Sequence, residues 1–531
     1  MDRRAFLTAL GAGWAVHSLV PGRPPLRGRI VGASHRAGHL LRDGGVPAPT
    51  GPAERADVVI VGGGVSGLSA AWRLGPAGLD VLVLELESFL GGTSASGDDG
   101  VVPYPWGAHY LAAPNPEARA ALRLLSDLSV VTGWDAAGRP RFDPRVLCHA
   151  PQERLYYHGA WFPGLVPTEA LTPQEIAEVE RFGEIENELL DKTGSDGRSA
   201  FQIPLDLSSR DPTLLELDRI SMAAWLDRER FVTPFLRWYV RYAMLDDFGG
   251  VPEDVSAWAG LHYFAARKLR GAELAGSHFL VWPEGNGFLV KGLLRGANAR
   301  LHPRALATSV SSTAPGLEVG YLDVATGEAR RVAARAVILA VPAFVATRLL
   351  PSARDLGLPR RTASPWVVAN LHVERPVDPD LPWDSVIHDA EGLGYVDARH
   401  QVTELSERTV LTYYRAYGEP DVAATRSGLV RAPWATLGDA VLRDLAGPHP
   451  GLRDELERMD VMVWGHGMPR PRPGFLGERP FQAPVALGPH VAWAHVDQSG
   501  MALFEEAQAH GVRAAEVIAR AIGVELGETW L

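Results

Sequence analysis

The stretch "DVVIVGGGVSGLSAAWRL", Asp57 to Leu74, and the "LDVLVLELE" that follows it, Leu79 to Glu87, decide how this chain is read. An apolar run, a glycine turn, a helix-spaced set of Leu68, Ala71 and Leu74, a second glycine-containing turn and a second apolar run make a βαβ unit. Gly62, Gly64 and Gly67 place G-x-G-x-x-G where the first strand meets the helix. There the first glycine permits a tight turn, the second lets a pyrophosphate approach the backbone, and the third lets helix and strand pack closely. N–H groups at the helix start, at Val65 and Ser66, then face the phosphates. Glu85 lies 18 positions past Gly67, at the end of the second strand, where a carboxylate accepts hydrogen bonds from a ribose hydroxyl. No Arg directly follows Glu85, which disfavours a 2′-phosphate. To this point NAD and FAD fit equally well.

The rest of the chain bounds the answer. At 531 residues it is long enough for two or three domains. The formal charge of −11 and the lack of any basic cluster argue against a nucleic-acid partner. Cys148 is the single cysteine, so neither an intrachain disulfide nor a Cys-based metal cluster is available, and no metal site is expected. The N-terminus "MDRRAFLTALGAGWAVHSLV" carries Arg3-Arg4, then Phe6-Leu7, then a short apolar run that is too short to span a bilayer. It resembles a twin-arginine export signal, which implies the export machinery as a partner, a periplasmic destination and no stable membrane span.

Along the chain we expect a signal segment at 1–30 and a Pro/Gly-rich, mostly irregular connector at 31–55. "PEARAALRLLSDL", "TPQEIAEVERFGEIENELLDK" with Thr172 as its cap, and "SMAAWLDRERFVTPFLRWYVRYAML" read as helix. "EVGYLDV", "ARRVAARAVILAVP", "WVVANLHV", "TVLTYYRAYG" and "HVAWAHVD" read as strands. The chain therefore starts a dinucleotide fold, leaves it for two long insertions and returns at its C-terminus. The expected dinucleotide-binding domain comprises 56–110, 280–350 and 485–531, and the substrate domain comprises 111–279 and 351–484. A substrate cleft belongs between the two.

Residues beyond the βαβ unit resemble the flavin-containing amine oxidoreductases, a group that also includes phytoene-desaturase-like and protoporphyrinogen-oxidase-like enzymes. Gly91 and Gly92 follow Glu85 by six and seven residues, as paired glycines do in that family. Ala307 to Val310 and Val337 to Pro342 look like its middle strand pair, with backbone near Ala307 meeting the adenine. "VAWAHVDQSGMALFEEAQAHGVRAAEVI" looks like its C-terminal flavin segment, with Asp497 near the pyrophosphate and ribityl chain. The resemblance implies an α/β fold, an FAD-binding Rossmann-like (two-dinucleotide-binding-domain flavoprotein) architecture with an α+β substrate lobe. It also implies noncovalent FAD, because Cys148 lies far from the C-terminal segment that carries a cysteinyl link in some relatives. Departures are present. Where the family has arginines, this chain has Phe89 and Thr93; Ala-Gly-x-Glu reads Ala494-His495-Val496-Asp497. The lysine near the flavin would fall at Ala369 or Asn370, and the second wall of the amine cage at Leu503.

For the chemistry, His109 in "YPWGAHYL", Trp464 and His466 in "VWGHGMPRPRPGF", Tyr413, Tyr414 and Arg415 in "LTYYRAYG", and His495 are the side chains that could face the flavin and a small-molecule substrate. For each of these the alternative is an ordinary core or structural role. Three functions stay open. The first is an oxidoreductase taking a hydride from an amine or other activated C–H and passing electrons to oxygen or a carrier. The second is a desaturase or isomerase of an apolar, polyene-like substrate, and the third is a non-catalytic, FAD-stabilised binding protein.

Overall fold

The computed structural model describes residues 25–32, 34–49, 51–269, 278–313, 315–378, 382–402, 407–477 and 485–531. The export-signal residues Arg3, Arg4, Phe6 and Leu7 lie outside them. Two large sheets organise these residues. The first has strand order Arg300–His302, Val81–Leu84, Glu54–Val61, Ala329–Leu339, Gly316–Asp323, Ala305–Thr313, with Val491–Trp493 adding in parallel to the end of Ala329–Leu339. Its central strands are parallel and buried on both faces, which is why they read as continuous Val/Ile/Leu runs. The expected glycine turn lies at its centre: Gly62 takes a left-handed φ of 104°, and a Cβ there would lie 2.3 Å from the Ala340 carbonyl oxygen.

The helix Val65–Leu74 is buried along its whole length, with Gly287–Ala297 and the C-terminal helix Phe504–Ala521 packed against it. The last of these contacts is very close. A Cβ on Gly511 would sit 2.1 Å from the Ser66 carbonyl oxygen, so only glycine allows the two helices to meet here.

The second sheet has eight strands in the order Arg27–Val31, Leu456–Pro469, Ala363–Val373, Thr409–Ala416, Gly394–Asp397, Asp384–Ile387, Glu153–Tyr157, Ala160–Pro163. Helices Pro173–Asp191, Met222–Arg228, Pro234–Phe248 and Ala257–Ala266 form a further layer around Phe182, Trp225, Phe231, Phe248 and Trp258. Thr172 caps the first of them in a full capping box with Glu175.

Two expectations are corrected. The segment read as one long helix from Ser221 is two, since Arg230 turns left-handed (φ 58°) and Pro234 starts the second helix. The connector is not irregular throughout, since it holds the helix His35–Asp43, and the end of the segment expected as a signal forms the strand Arg27–Val31. Among the described residues no helix is long and apolar enough to cross a membrane.

The contact at Gly511 generates a test. Gly511→Val should destabilise the protein by about 3 kcal/mol through overpacking at backbone. Gly428, in the helix Val422–Arg431, has open space around its missing Cβ. There Gly428→Ala should instead stabilise by roughly 0.5–1 kcal/mol. Urea midpoints that move equally in both variants would contradict the packing described.

Candidate functional site

The glycine turn and the end of strand Val81–Leu84 build one cradle. Glu85 Oε2 accepts the Gly63 N–H at 2.6 Å, and Oε1 accepts the Glu87 N–H at 2.7 Å. Burial pushes its carboxyl up to about 7, against the pull of those N–H donors. Gly91 donates to the Gly63 carbonyl at 2.8 Å, and Gly91 and Gly92 both take left-handed φ values. Gly64 forms a bridge to Gly91, yet nothing lies within 4 Å of where its Cβ would be. The backbone is therefore bare and open at the position where a pyrophosphate approaches a G-x-G-x-x-G turn, with Val65 and Ser66 opening the helix beside it.

Neighbouring segments complete the groove. Ala305 donates to the Glu85 carbonyl at 2.7 Å, which brings the buried Ala307 strand beside the acid. On the other side Asp497 Oδ2 accepts the Ala343 N–H at 2.9 Å. Asp497 stays below the ordinary carboxylate range because His495 and the Ala343 N–H outweigh the opposing effect of burial. His495 Nδ1 lies 3.1 Å from the Asp497 nitrogen and 3.3 Å from its Oδ1, so this histidine braces the Asp497 turn and is not part of the cavity wall.

The paired glycines lead through Thr93 to a cavity. The Thr93 carbonyl accepts the Ala108 N–H at 2.9 Å, and this holds the "YPWGAHYL" segment against the site. One wall is a face of the eight-stranded sheet, where Trp366 and Trp464 are cross-strand partners and Val368 pairs with Tyr414. Strand alternation settles two sequence ambiguities. Tyr414 faces the cavity, whereas Tyr413 points to the opposite face and donates to Asp444 at 2.6 Å. Asn370 shares the cavity parity of Trp366 and Val368, but its side chain is tied to the Pro105 carbonyl and Thr412. Ala369 lies in the core on the other face.

His109 lines the cavity with its ring 5.3 Å from that of Tyr414. Burial lowers it to about 4, so it is neutral. Its Nδ1 lies 3.1 Å from the Gly107 carbonyl oxygen, which can only accept, so Nδ1 carries the proton and Nε2 does not. Trp464 also lines the cavity and donates to the Trp106 carbonyl at 2.7 Å. Leu503 contributes an aliphatic patch where it caps the C-terminal helix. His466 stacks on Phe344, with ring centroids 4.7 Å apart, outside this lining.

Sequence reading missed the charged part of the wall. Asp246, Asp247, Arg267 and Glu505 line the cavity together with Asn286. Arg267 is ion-paired to Asp247 and donates to the Tyr110 hydroxyl at 2.6 Å. Burial, then the adjacent Asp247, push Asp246 up to about 7 against Arg267, and burial puts Glu505 at about 7 as well. Four buried polar atoms of the lining have no hydrogen-bond partner among the described residues: Asp247 Oδ2, Asn286 Oδ1, Arg267 Nε and Trp366 Nε1. One signal was present in the sequence. Asp246 and Asp247 end the helix Pro234–Phe248, the terminus where the dipole disfavours acids. Among the described residues no group of His, Cys, Asp or Glu could hold a metal ion.

Comparison with known proteins agrees with this architecture. Residues 60–128 match the family model described as an NAD(P)-binding Rossmann-like domain. A thiamine thiazole synthase from Aeropyrum pernix is 40% identical over 76 residues, 14% of this chain and 24% of that protein. The chain thus spans about a quarter of that relative's length. Among solved structures, putrescine oxidase bound to putrescine superimposes with a TM-score of 0.60 at 17% identity, covering 88% of this chain and 100% of that one. Cyclohexylamine oxidase from Brevibacterium oxydans gives 0.61 at 16% identity with the same coverage. The chain therefore has the fold of these oxidases, built around a Rossmann-like dinucleotide-binding unit.

Proposed function

We propose that the protein is an FAD-dependent oxidoreductase that removes a hydride from a carbon beside the nitrogen of a cationic amine. The observation that carries this reading is the cavity wall, where three carboxylates, Asp246, Asp247 and Glu505, face one arginine among aromatic rings. Two orphan acceptors, Asp247 Oδ2 and Asn286 Oδ1, match the N–H donors of an ammonium group. The faces of Tyr110, Trp366, Tyr414 and Trp464 exclude water and attract a cation. Shared fold with oxidases of putrescine and cyclohexylamine supports the same class of substrate.

The groove residues fit FAD: a bare glycine turn for the pyrophosphate, Glu85 for the ribose hydroxyls, Ala307 backbone for the adenine, Asp497 for the ribityl side, and Thr93 and Leu503 towards the ring. A bound flavin supplies the hydride acceptor and passes electrons on to oxygen or a carrier. The protein's part is to seat the ammonium group against the carboxylates and hold the carbon chain between the rings. His109 stays neutral, and its unprotonated Nε2 is free to accept a hydrogen bond from the substrate nitrogen. The polyene reading fits this cavity less well, because hydrocarbon would strip water from three carboxylates and an arginine and give no partner in return.

Acid or heat should release a yellow supernatant containing FAD in one-to-one ratio with the chain. Glu85→Ala should weaken its retention by a factor of roughly 10–100, the loss of a charge-assisted hydrogen bond worth about 1.5–3 kcal/mol. NAD in the supernatant, or a colourless protein from a flavin-replete host, would sink the assignment.

A second test uses pH. Asp246 and Glu505, both raised to about 7, are neutral below that pH and charged above it. Only the charged forms attract a cation, so amine affinity should rise about tenfold between pH 6 and pH 8 for each carboxyl that must ionise. The rise should level off above about pH 8, once the carboxyls are ionised, and affinity should fall as the amine itself deprotonates near pH 10. Anaerobic titration of the flavin spectrum with putrescine and cyclohexylamine measures it, and an affinity that is flat or falling over this interval contradicts the reading.

We further propose export in the folded state through the twin-arginine route, which suits a protein that acquires its cofactor before crossing a membrane. Replacing Arg3 and Arg4 by Lys should retain the flavoprotein in the cytoplasm with an unchanged flavin spectrum. Export that persists would refute that address.

A further inference from the structure

We propose that the strand Arg27–Val31 and the helix His35–Asp43 form a strap that is the outer wall of the dinucleotide groove, so that bound FAD leaves only when the strap undocks. This rests on the reading of the groove as an FAD site. The segment touches both lobes. Its strand Arg27–Val31 runs parallel to Arg458–Met462 at the edge of the cavity-lobe sheet. Gly32 then turns with φ 63°, packed so closely that a Cβ would meet Met462 at 2.4 Å and Phe89 at 3.2 Å. Phe89 stands four residues beyond Glu85 and two before Gly91, with its ring edge-on to Trp464.

On the nucleotide lobe, Ser34 closes a two-point clamp. Its N–H donates to Glu87 Oε1 at 2.6 Å and its hydroxyl to Oε2 at 2.8 Å. Glu87 in turn donates its N–H to Glu85 Oε1, so the clamp is one residue contact away from the ribose acid. The helix His35–Asp43 follows, with Gly38 against Leu86 and Leu41 packed on the cluster that contains Ala307 and Val310. The same cluster contains Ala343, whose N–H binds Asp497. The strap thus runs from the Glu85 side of the groove to the Asp497 side.

Its stability is of the kind that permits opening. A nine-residue helix does not hold in water by itself, and in this one Ala37 alone is fully buried. The strand is mostly exposed and is fixed by backbone pairing at a sheet edge. The strap can therefore detach before either lobe unfolds.

The test uses the FAD-loaded protein and two variants. Glu87→Ala removes both bonds of the clamp. Leu41→Asp undocks the helix without touching either acid, which guards against an effect of Glu87 through Glu85. FAD release, followed by recovery of flavin fluorescence after dilution, should quicken at least tenfold in both, and hydrogen exchange at 35–43 should be slower in the loaded wild-type protein than after FAD removal. Release at the wild-type rate in both variants, with exchange at 35–43 accelerated, would show that the helix opens without freeing FAD and overturns the strap alone. A wild-type protein that carries no FAD overturns the groove reading and the strap with it.

Discussion

The Glu85 carboxylate is the point on which the nucleotide lobe turns. One oxygen holds the glycine turn through the Gly63 N–H, the other holds the Glu87 N–H, and the residue's own carbonyl takes the Ala305 N–H. Three parts of the chain, at Gly63, Glu87 and Ala305, are thereby fixed around a single residue. Desolvation lifts its pKa to about 7, which means that the fold carries a carboxylate in a place that disfavours its charge. Two N–H donors offset part of that cost, and lone pairs remain for hydroxyl donors of a ligand. The groove is in this sense better satisfied when filled.

The βαβ unit was legible because its information is local. Apolar runs, glycines and one acid within thirty-one residues specify it, and the turn at Gly62 admits no side chain beside Ala340. The strap was not legible for the opposite reason. "RGRIV" has no apolar alternation, since it adds to a sheet edge through backbone bonds with its side chains largely in solvent. Composition there pointed to a loop, and the missing information lay in a partner strand some 430 positions later.

The cavity shows a third case. The aromatic wall could be sensed from "LTYYRAYG" and "VWGHG", but which tyrosine faces inward depends on strand register, and a step of one residue exchanges Tyr413 in the core for Tyr414 in the cavity. The charged wall is assembled from three helices: Asp246 and Asp247 from one, Arg267 from the end of the next, and Glu505 from the first turn of the last. No window of sequence contains them together.

Their placement also explains why the wall is poised for a cation. Glu505 sits where a helix dipole favours an acid, whereas Asp246 and Asp247 sit where it opposes one. Arg267 can satisfy only one of the pair fully, and it is committed to Asp247. Asp246 is left beside a like charge in a desolvated site, and its carboxyl is divided between the neutral and the charged form around neutrality. A ligand bearing positive charge would change that balance, since it would add to Asp246 and Glu505 the positive charge that Arg267 supplies only in part. In the proposed amine site, binding of the cation and ionisation of the wall are one coupled event, in which the protein's unfavourable electrostatics become part of its affinity.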